Sequence, residues 1–220
     1  MPKATAQKAT IQRGQKDGRR VRPSSADQLP DIIEHRFLSR LIDTVPRLRA
    51  HWQRYRELFR IVKFPARATL LREGEISRKV FFVQKGCLRI AVNSHGKDIT
   101  TQFFFENEAV ASIESFRTNR ASVVSIRSVE PSTVIVLEKK GFDLLLRDFP
   151  EISDLLLELA FRRFEAYSRL FASFITQTPR QRYLALLKGD PRIIERVPQH
   201  FIASYLGITP VSLSRIRKRL

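Results

Sequence analysis

Between residues 67 and 137 the chain carries short runs rich in β-branched and aromatic residues: VFFVQ (80–84), CLRIAV (87–92), ITTQFFF (99–105), VVSIRSV (123–129) and STVIVL (132–137). Such residues suit a pleated, half-buried surface. REGE (72–75), QKG (84–86), NSHGK (93–97) and EPS (130–132) punctuate them as turns. No helical crossover pattern intervenes, so the strands are expected to pair antiparallel in a sandwich or barrel. This region is the centre around which the rest of the chain must pack.

The pattern on either side is helical. Ile32, Ile33, Phe37, Leu41, Ile42 and Val45 recur at helical spacing up to Pro46, and Leu48, Trp52, Tyr55 and Leu58 follow before IVKFP. After Lys140, Phe142, Leu144, Leu145 and Phe149 mark a short helix closed by Pro150. Residues 151–177, EISDLLLELAFRRFEAYSRLFASFITQ, contain neither Pro nor Gly and predict a helix about 40 Å long. Its apolar residues cover more than one face. One face can rest on the β region; the other is expected to meet a second copy of the same helix, unless the helix is wholly buried in its own monomer. Thr178-Pro179 reads as an N-cap and first-turn proline opening a new helix, PRQRYLALLKGDP, and marks the expected domain boundary.

Charge narrows the partners. Over 220 residues, 40 Lys and Arg face 22 Asp and Glu, a net charge of +18 that attracts polyanions. Residues 1–28 are apolar-poor and basic and are expected to be a disordered arm. No apolar run approaches the roughly 18 residues of a membrane span, and no signal core follows the N-terminal basic residues, so a cytoplasmic location and no membrane partner are expected. Cys87 is the only cysteine, which rules out a cysteine zinc cage or an iron–sulfur cluster within one chain. The four histidines are scattered without His-x-His or His-x3-His spacing, so no metal site is expected. For the same reason a cupin-like metal enzyme is not expected, and no catalytic residue is assigned.

The C-terminal segment, VPQHFIASYLGITPVSLSRIRKRL, fits two helices about a tight corner. Phe201, Ile202, Tyr205 and Leu206 form the inward face of the first; Ala203 permits a close crossing, Gly207 ends it and Ile208 plugs the corner. Thr209 caps the second, Pro210 sits in its first turn, and Leu213, Ile216 and Leu220 make its buried stripe. The opposite face carries Val211, Ser212, Ser214, Arg215, Lys218 and Arg219. Small and hydroxylated residues at a helix start can approach base edges, Arg215 can reach guanine or phosphate, and the basic last turn can hold phosphates. Basic residues there also complement the helix dipole, a purely structural role. Together with Thr209, this face is the expected contact with double-stranded DNA.

A β domain, a long helix and the terminal IASYLGITPVSLSRIRK together resemble the Crp/Fnr family of bacterial transcription regulators over residues 32–220. LGITPVSLSRIRK and QFFFENEAVASIESF (102–116) are closest to the Crp-like regulators common in Bacteroidetes. The resemblance implies an α+β protein: an antiparallel β-roll sensor with flanking helices (29–150), a long dimerisation helix (151–177) and a winged helix-turn-helix (178–220). Because the given residues end as the recognition helix does, a wing hairpin would have to come from Arg192 to Val197. The implied partners are a second copy, through Leu156, Leu159, Arg163, Tyr167, Leu170 and Phe174, and RNA polymerase at a promoter. Cyclic-AMP-binding relatives carry Gly-Glu-(Leu/Ala) and, about ten residues later, Arg-(Ser/Thr)-Ala. Here Ser112 stands at the glutamate and Ser122 at the arginine, with no glycine between Gly96 and Gly141. Arg120 and either Glu108 or Glu114 could substitute only if the loop shifts, so no cyclic nucleotide or other cofactor is expected. Another small molecule, or none, remains open, as does a regulator acting through a protein partner.

Overall fold

The structure, a computed structural model, describes residues 35–219. The basic arm 1–28, the helix-start residues Ile32 and Ile33, and Leu220 lie outside the described residues. The chain opens with three short helices, α1 (Arg36–Thr44), α2 (Pro46–Ala50) and α3 (Trp52–Tyr55), and a 3-10 turn (Arg56–Leu58). Strands β1 (Phe59–Phe64), β2 (Thr69–Leu71), β3 (Lys79–Lys85), β4 (Leu88–Ser94), β5 (Lys97–Phe104) and β6 (Ala109–Val110) follow. Helix α4 (Ile113–Thr118) interrupts the β region before β7 (Ser125–Ser128) and β8 (Ser132–Glu138). Then come α5 (Lys139–Asp148), the long α6 (Ile152–Thr176), α7 (Pro179–Gly189), α8 (Pro191–Arg196), α9 (Gln199–Tyr205) and α10 (Pro210–Lys218).

The strands form two four-stranded antiparallel sheets, ordered β1-β8-β3-β6 and β2-β7-β4-β5, stacked as a jelly roll. Each carries buried residues on both faces, and the alternation of side chains explains how. Phe81, Val83, Val134 and Val136 of the first sheet meet Leu88, Ile90, Phe104 and Ile126 of the second between the sheets. From the other face of the first sheet, Phe59, Ile61, Phe82, Ile135 and Leu137 pack under Leu38, Leu41, Leu48, Tyr55, Leu145 and Phe149 of the flanking helices. Phe103 and Phe105, flanking the inward Phe104, point out of the second sheet toward α7–α10. The molecule is thus four layers deep: helices, sheet, sheet, helices. The QKG turn between β3 and β4 requires its glycine, since Gly86 has φ +102° and a Cβ there would lie 2.4 Å from Ser132 Oγ.

Helix α6 starts at the buried Ile152 and runs 25 residues. Three of its faces differ. Leu155 and Leu159 turn toward α1, where with Phe37, Leu41 and the Arg40–Glu158 pair they line a shallow groove. Leu156 joins the helical core. Arg163 donates to the Ala109 carbonyl and lies 4.7 Å from the Phe104 ring, and the Tyr167 hydroxyl bonds Gln102. Leu157, Phe161, Phe164, Phe171 and Ile175 remain 55–70% exposed.

Candidate nucleic-acid interface

The terminal helix pair is assembled by local chemistry that the sequence dictates. Helix α7 begins at Pro179 behind a capping box in which the Thr178 hydroxyl accepts from Gln181 N–H and the Gln181 side chain accepts from Thr178 N–H. Helix α9 ends at a corner where Gly207 has φ +67°, a left-handed conformation a side chain resists. A Cβ at Gly207 would also come within 3.0 Å of the Phe174 ring, so the corner seats directly on the end of α6. The Thr209 hydroxyl accepts from Ser212 N–H at 3.1 Å and lies 3.0 Å from the Ser212 hydroxyl; Pro210 occupies the first turn of α10.

The inward faces are tightly held. Ile202, Ala203, Leu206 and Leu213 are at most 2% exposed and share a cluster with Tyr183, Ile193 and Val197. Ile208 and Ile216 pack against it. On the other side of α10, Val211, Ser214, Arg215, Arg217, Lys218 and Arg219 are exposed, and none of these cations has an ion-pair partner among the described residues. Of the residues expected to touch DNA, Val211, Ser214, Arg215, Lys218 and Arg219 therefore share one open surface. Thr209 and Ser212 lie at its edge with their hydroxyls engaged in the cap. Residues 178–219 hold nine cations (Arg180, Arg182, Lys188, Arg192, Arg196, Arg215, Arg217, Lys218, Arg219) against Asp190 and Glu195. The stretch where a hairpin was expected, Arg192 to Val197, is instead helix α8 and its C-cap, and no strand occurs among the described residues after β8. Pro191 at the first helical position and the buried Ile193 favour that helix.

The residues expected around a nucleotide do not converge. Ser112 and Ser122 are buried and bond each other at 2.9 Å; Ser122 also bonds the Val124 carbonyl, leaving both hydroxyls occupied. Ser115 accepts from Ser77 N–H and donates to the Arg120 carbonyl, closing the same loop. Arg120 and Glu114 are exposed. Glu108 accepts from Phe105 N–H at 2.6 Å in the turn before β6, and burial pushes its carboxyl above the usual range. A phosphate needs donors and positive charge; the two serines at the positions compared with the glutamate and arginine offer instead hydroxyls that satisfy one another. Among the described residues no cluster of three or more His, Cys, Asp or Glu is able to hold a metal, and no helix is long and apolar enough to cross a membrane.

The six residues expected at the dimer face lie mostly on the sides of α6 turned to the protein's own fold. Leu156, Arg163 and Tyr167 make the contacts given above, Leu159 lines the α1 groove, Leu170 is half-buried, and Phe174 lies against Gly207 with the Arg182 guanidinium 4.8 Å from its ring. The open stripe is Leu157, Phe161, Phe164, Ser168, Phe171 and Ile175. Its 4-3-4-3-4 spacing is present in the sequence, but the sequence alone does not choose it over the apolar faces beside it.

These features place the β domain in a known class. Residues 61–149 match the family described as the cyclic nucleotide-binding domain. Among solved structures, FixK2 from Bradyrhizobium japonicum superposes with a TM-score of 0.65 at 13% identity, covering 74% of this chain and 84% of that one. The c-di-GMP responsive global regulator CLP from Xanthomonas campestris gives 0.63 at 17% identity, covering 76% and 88%. A CooA mutant from Carboxydothermus hydrogenoformans gives 0.59 at 16% identity, covering 74% and 76%. Comparison with curated proteins by sequence gives no match. A cyclic-nucleotide-binding jelly roll joined to a long helix and a terminal helical unit is the fold of the Crp/Fnr transcription regulators, and it is the fold of this chain.

Proposed function

We propose that this protein is a homodimeric, sequence-specific DNA-binding transcription regulator of the Crp/Fnr type whose β-roll works without a cyclic nucleotide. The observation that carries the reading is α10: one face locked by Leu213 into a core, the other presenting Ser214, Arg215, Lys218 and Arg219 without ion-pair partners among the described residues. In this reading α9 and α10 are a helix-turn-helix, with α10 the recognition helix in the major groove. Arg215, near its middle, reads a base; Arg217, Lys218 and Arg219 hold phosphates. The exposed stripe of α6 follows a heptad seam and mates with its copy about a two-fold axis, which sets two recognition helices on one duplex. No catalysis is assigned, the protein acts in the cytoplasm, and RNA polymerase is the partner at a promoter.

The hydroxyl-closed loop around Ser112 and Ser122 supports independence from cyclic AMP and from any cofactor. The family match over 61–149 favours a second reading, in which another small molecule occupies the roll and the signal passes to a protein partner. Fluorescence anisotropy with full-length protein separates them. Arg215→Ala is expected to cost about 1–3 kcal/mol on a selected duplex and little on random DNA. Lys218→Ala is expected to weaken both and to lower the salt slope by about one. Equal losses on both duplexes for Arg215→Ala remove it from base readout; absence of any duplex binding by the wild type overturns the function, and micromolar cyclic AMP binding overturns effector independence.

A further inference from the structure

The α7–α10 unit does not hang from α6 by a free hinge. Phe103, Phe105, Cys87 and Val129 of the roll share one buried cluster with Ile193, Val197, Ile202 and Leu206. Apolar contact of this kind is non-directional: it holds two bodies together without fixing their angle. The polar contacts over it are directional, and the densest set of them, four hydrogen bonds to two carboxylates, is made by one side chain.

Arg196 ends α8, and its guanidinium leaves the helix for the roll. Nη1 and Nη2 donate to the two Glu106 oxygens at 2.9 and 2.7 Å, a bidentate pair, while Nε and Nη2 also donate to Glu130 Oε1, the former at 3.1 Å. Glu106 lies in the turn after β5 and also accepts from Gly86 N–H in the β3–β4 turn; Glu130 lies in the β7–β8 turn. One arginine therefore ties three turns of the roll to the helical unit. The three side chains are 27–29% exposed, so the pair is partly shielded from solvent. Arg192, one turn earlier and itself held by Asp190, lies 4.4 Å from the Phe105 ring, and Arg196 lies 5.0 Å from it. Burial pushes the Glu106 carboxyl up, but the bonds from Arg196 and Gly86 more than offset it and hold it at about 2.

Elsewhere the unit is pinned more simply. Arg89, 2% exposed, lies 3.9 Å from the Phe201 ring and donates to Thr100 at 3.0 Å, and Thr100 N–H donates to Ser204. Arg182 donates to the Gln177 and Leu206 carbonyls at 2.7 and 3.0 Å, spanning the α6–α7 joint and the α9 end. The apolar floor supplies adhesion; a planar guanidinium bound bidentately supplies angle.

We propose that Arg196, with Glu106 and Glu130, is the positioning set for the recognition helix, orienting α10 against the roll with no effector bound. This rests on the DNA-binding reading above and gives it its regulation: the reading head is preset by the sensor, and whatever loosens these two carboxylates releases it.

The test uses the full chain, with Glu106→Gln/Glu130→Gln as the main variant, because removing Arg196 alone would leave two carboxylates facing one another. Hydrogen exchange is measured over residues 191–206 and over the β3 and β8 strands, and affinity is measured on a selected and a random duplex. The double variant is expected to exchange at 191–206 roughly tenfold faster, with strand protection unchanged, and to lose roughly tenfold on the selected duplex but not the random one. Adding Arg196→Gln is expected to cost no more, and Arg196→Lys alone, keeping charge without the fork, to fall between. Unchanged exchange at 191–206, or equal losses on both duplexes, overturns the proposal. If the wild type binds no duplex, the function fails while the exchange measurement still judges the positioning set.

Discussion

Phe164 offers the sharpest test of the proposed two-fold seam. It sits mid-way along α6, and 69% of it is open in the monomer. A phenylalanine side chain presents roughly 200 Å², so roughly 140 Å² stands to be covered in each copy. Covering both copies is worth about 7 kcal/mol at 25 cal/mol/Å², an upper bound before the costs of association and the area alanine retains. Half of that, about 3.5 kcal/mol, is a change of roughly 400-fold in Kd. Sedimentation equilibrium of Phe164→Ala is therefore expected to show a dimer weakened more than about hundredfold, with the unfolding midpoint of the monomer little changed. Leu156→Ala is the control: it removes a contact to the helical core and is expected to cost about 1–3 kcal/mol of folding stability while leaving the dimer constant nearly as it was. The reverse pattern, with Leu156→Ala dissociating the dimer and Phe164→Ala silent, would refute the seam and return the interface to the roll-facing residues.

Three further outcomes are expected. Burial lowers His35 from 6.5 to about 4, against the nearby Val83 backbone, which pushes the other way; the folded state therefore resists its protonation, and the stability it contributes is complete above pH 6.5 and lost as pH falls toward 4. That loss amounts to about 3 kcal/mol, and urea titrations should find it missing in His35→Gln. Cys87 is fully buried and its thiol is pushed far above the ordinary range by burial, so it is expected to stay unmodified by iodoacetamide in the native protein and to react once unfolded. Leu213→Ala, at a fully buried position under α10, is expected to cost about 2–5 kcal/mol and to weaken selected and random duplexes alike, read by thermal unfolding and anisotropy.

The strands legible in the sequence are those long enough to show their composition: β3, β4, β5, β7 and β8 fall within two residues of the expected runs at every end. Strand β1 was hidden because FRIVKF follows helical spacing without a turn signal; its strand identity comes from pairing with β8 from Phe59–Leu137 to Phe64–Ser132. Strands β2 and β6 are too short to carry a period, and α4 occupies a stretch whose sequence aligns with a phosphate cassette and so reads as loop. The terminal corner was legible because glycine, the Thr-Pro cap and the apolar stripe agree locally. Which side of α6 meets the roll was not, since Leu156 and Leu170, Leu155 and Leu159, and Leu157 and Phe164 are all apolar and only tertiary packing chooses among them. The docking of α7–α10 on the second sheet had one signal: the unbroken Phe103–Phe104–Phe105 run, which fits a strand covered on both faces.

Selection of binding sites by the full-length protein from a pool of random duplexes at low ionic strength addresses the central claim directly. The expected product is an inverted repeat whose half-sites lie about 10–10.5 bp, or a multiple of that, apart, as two α10 helices related by the α6 seam require. Recovery of no duplex, or of a pool with no enriched sequence, would contradict it.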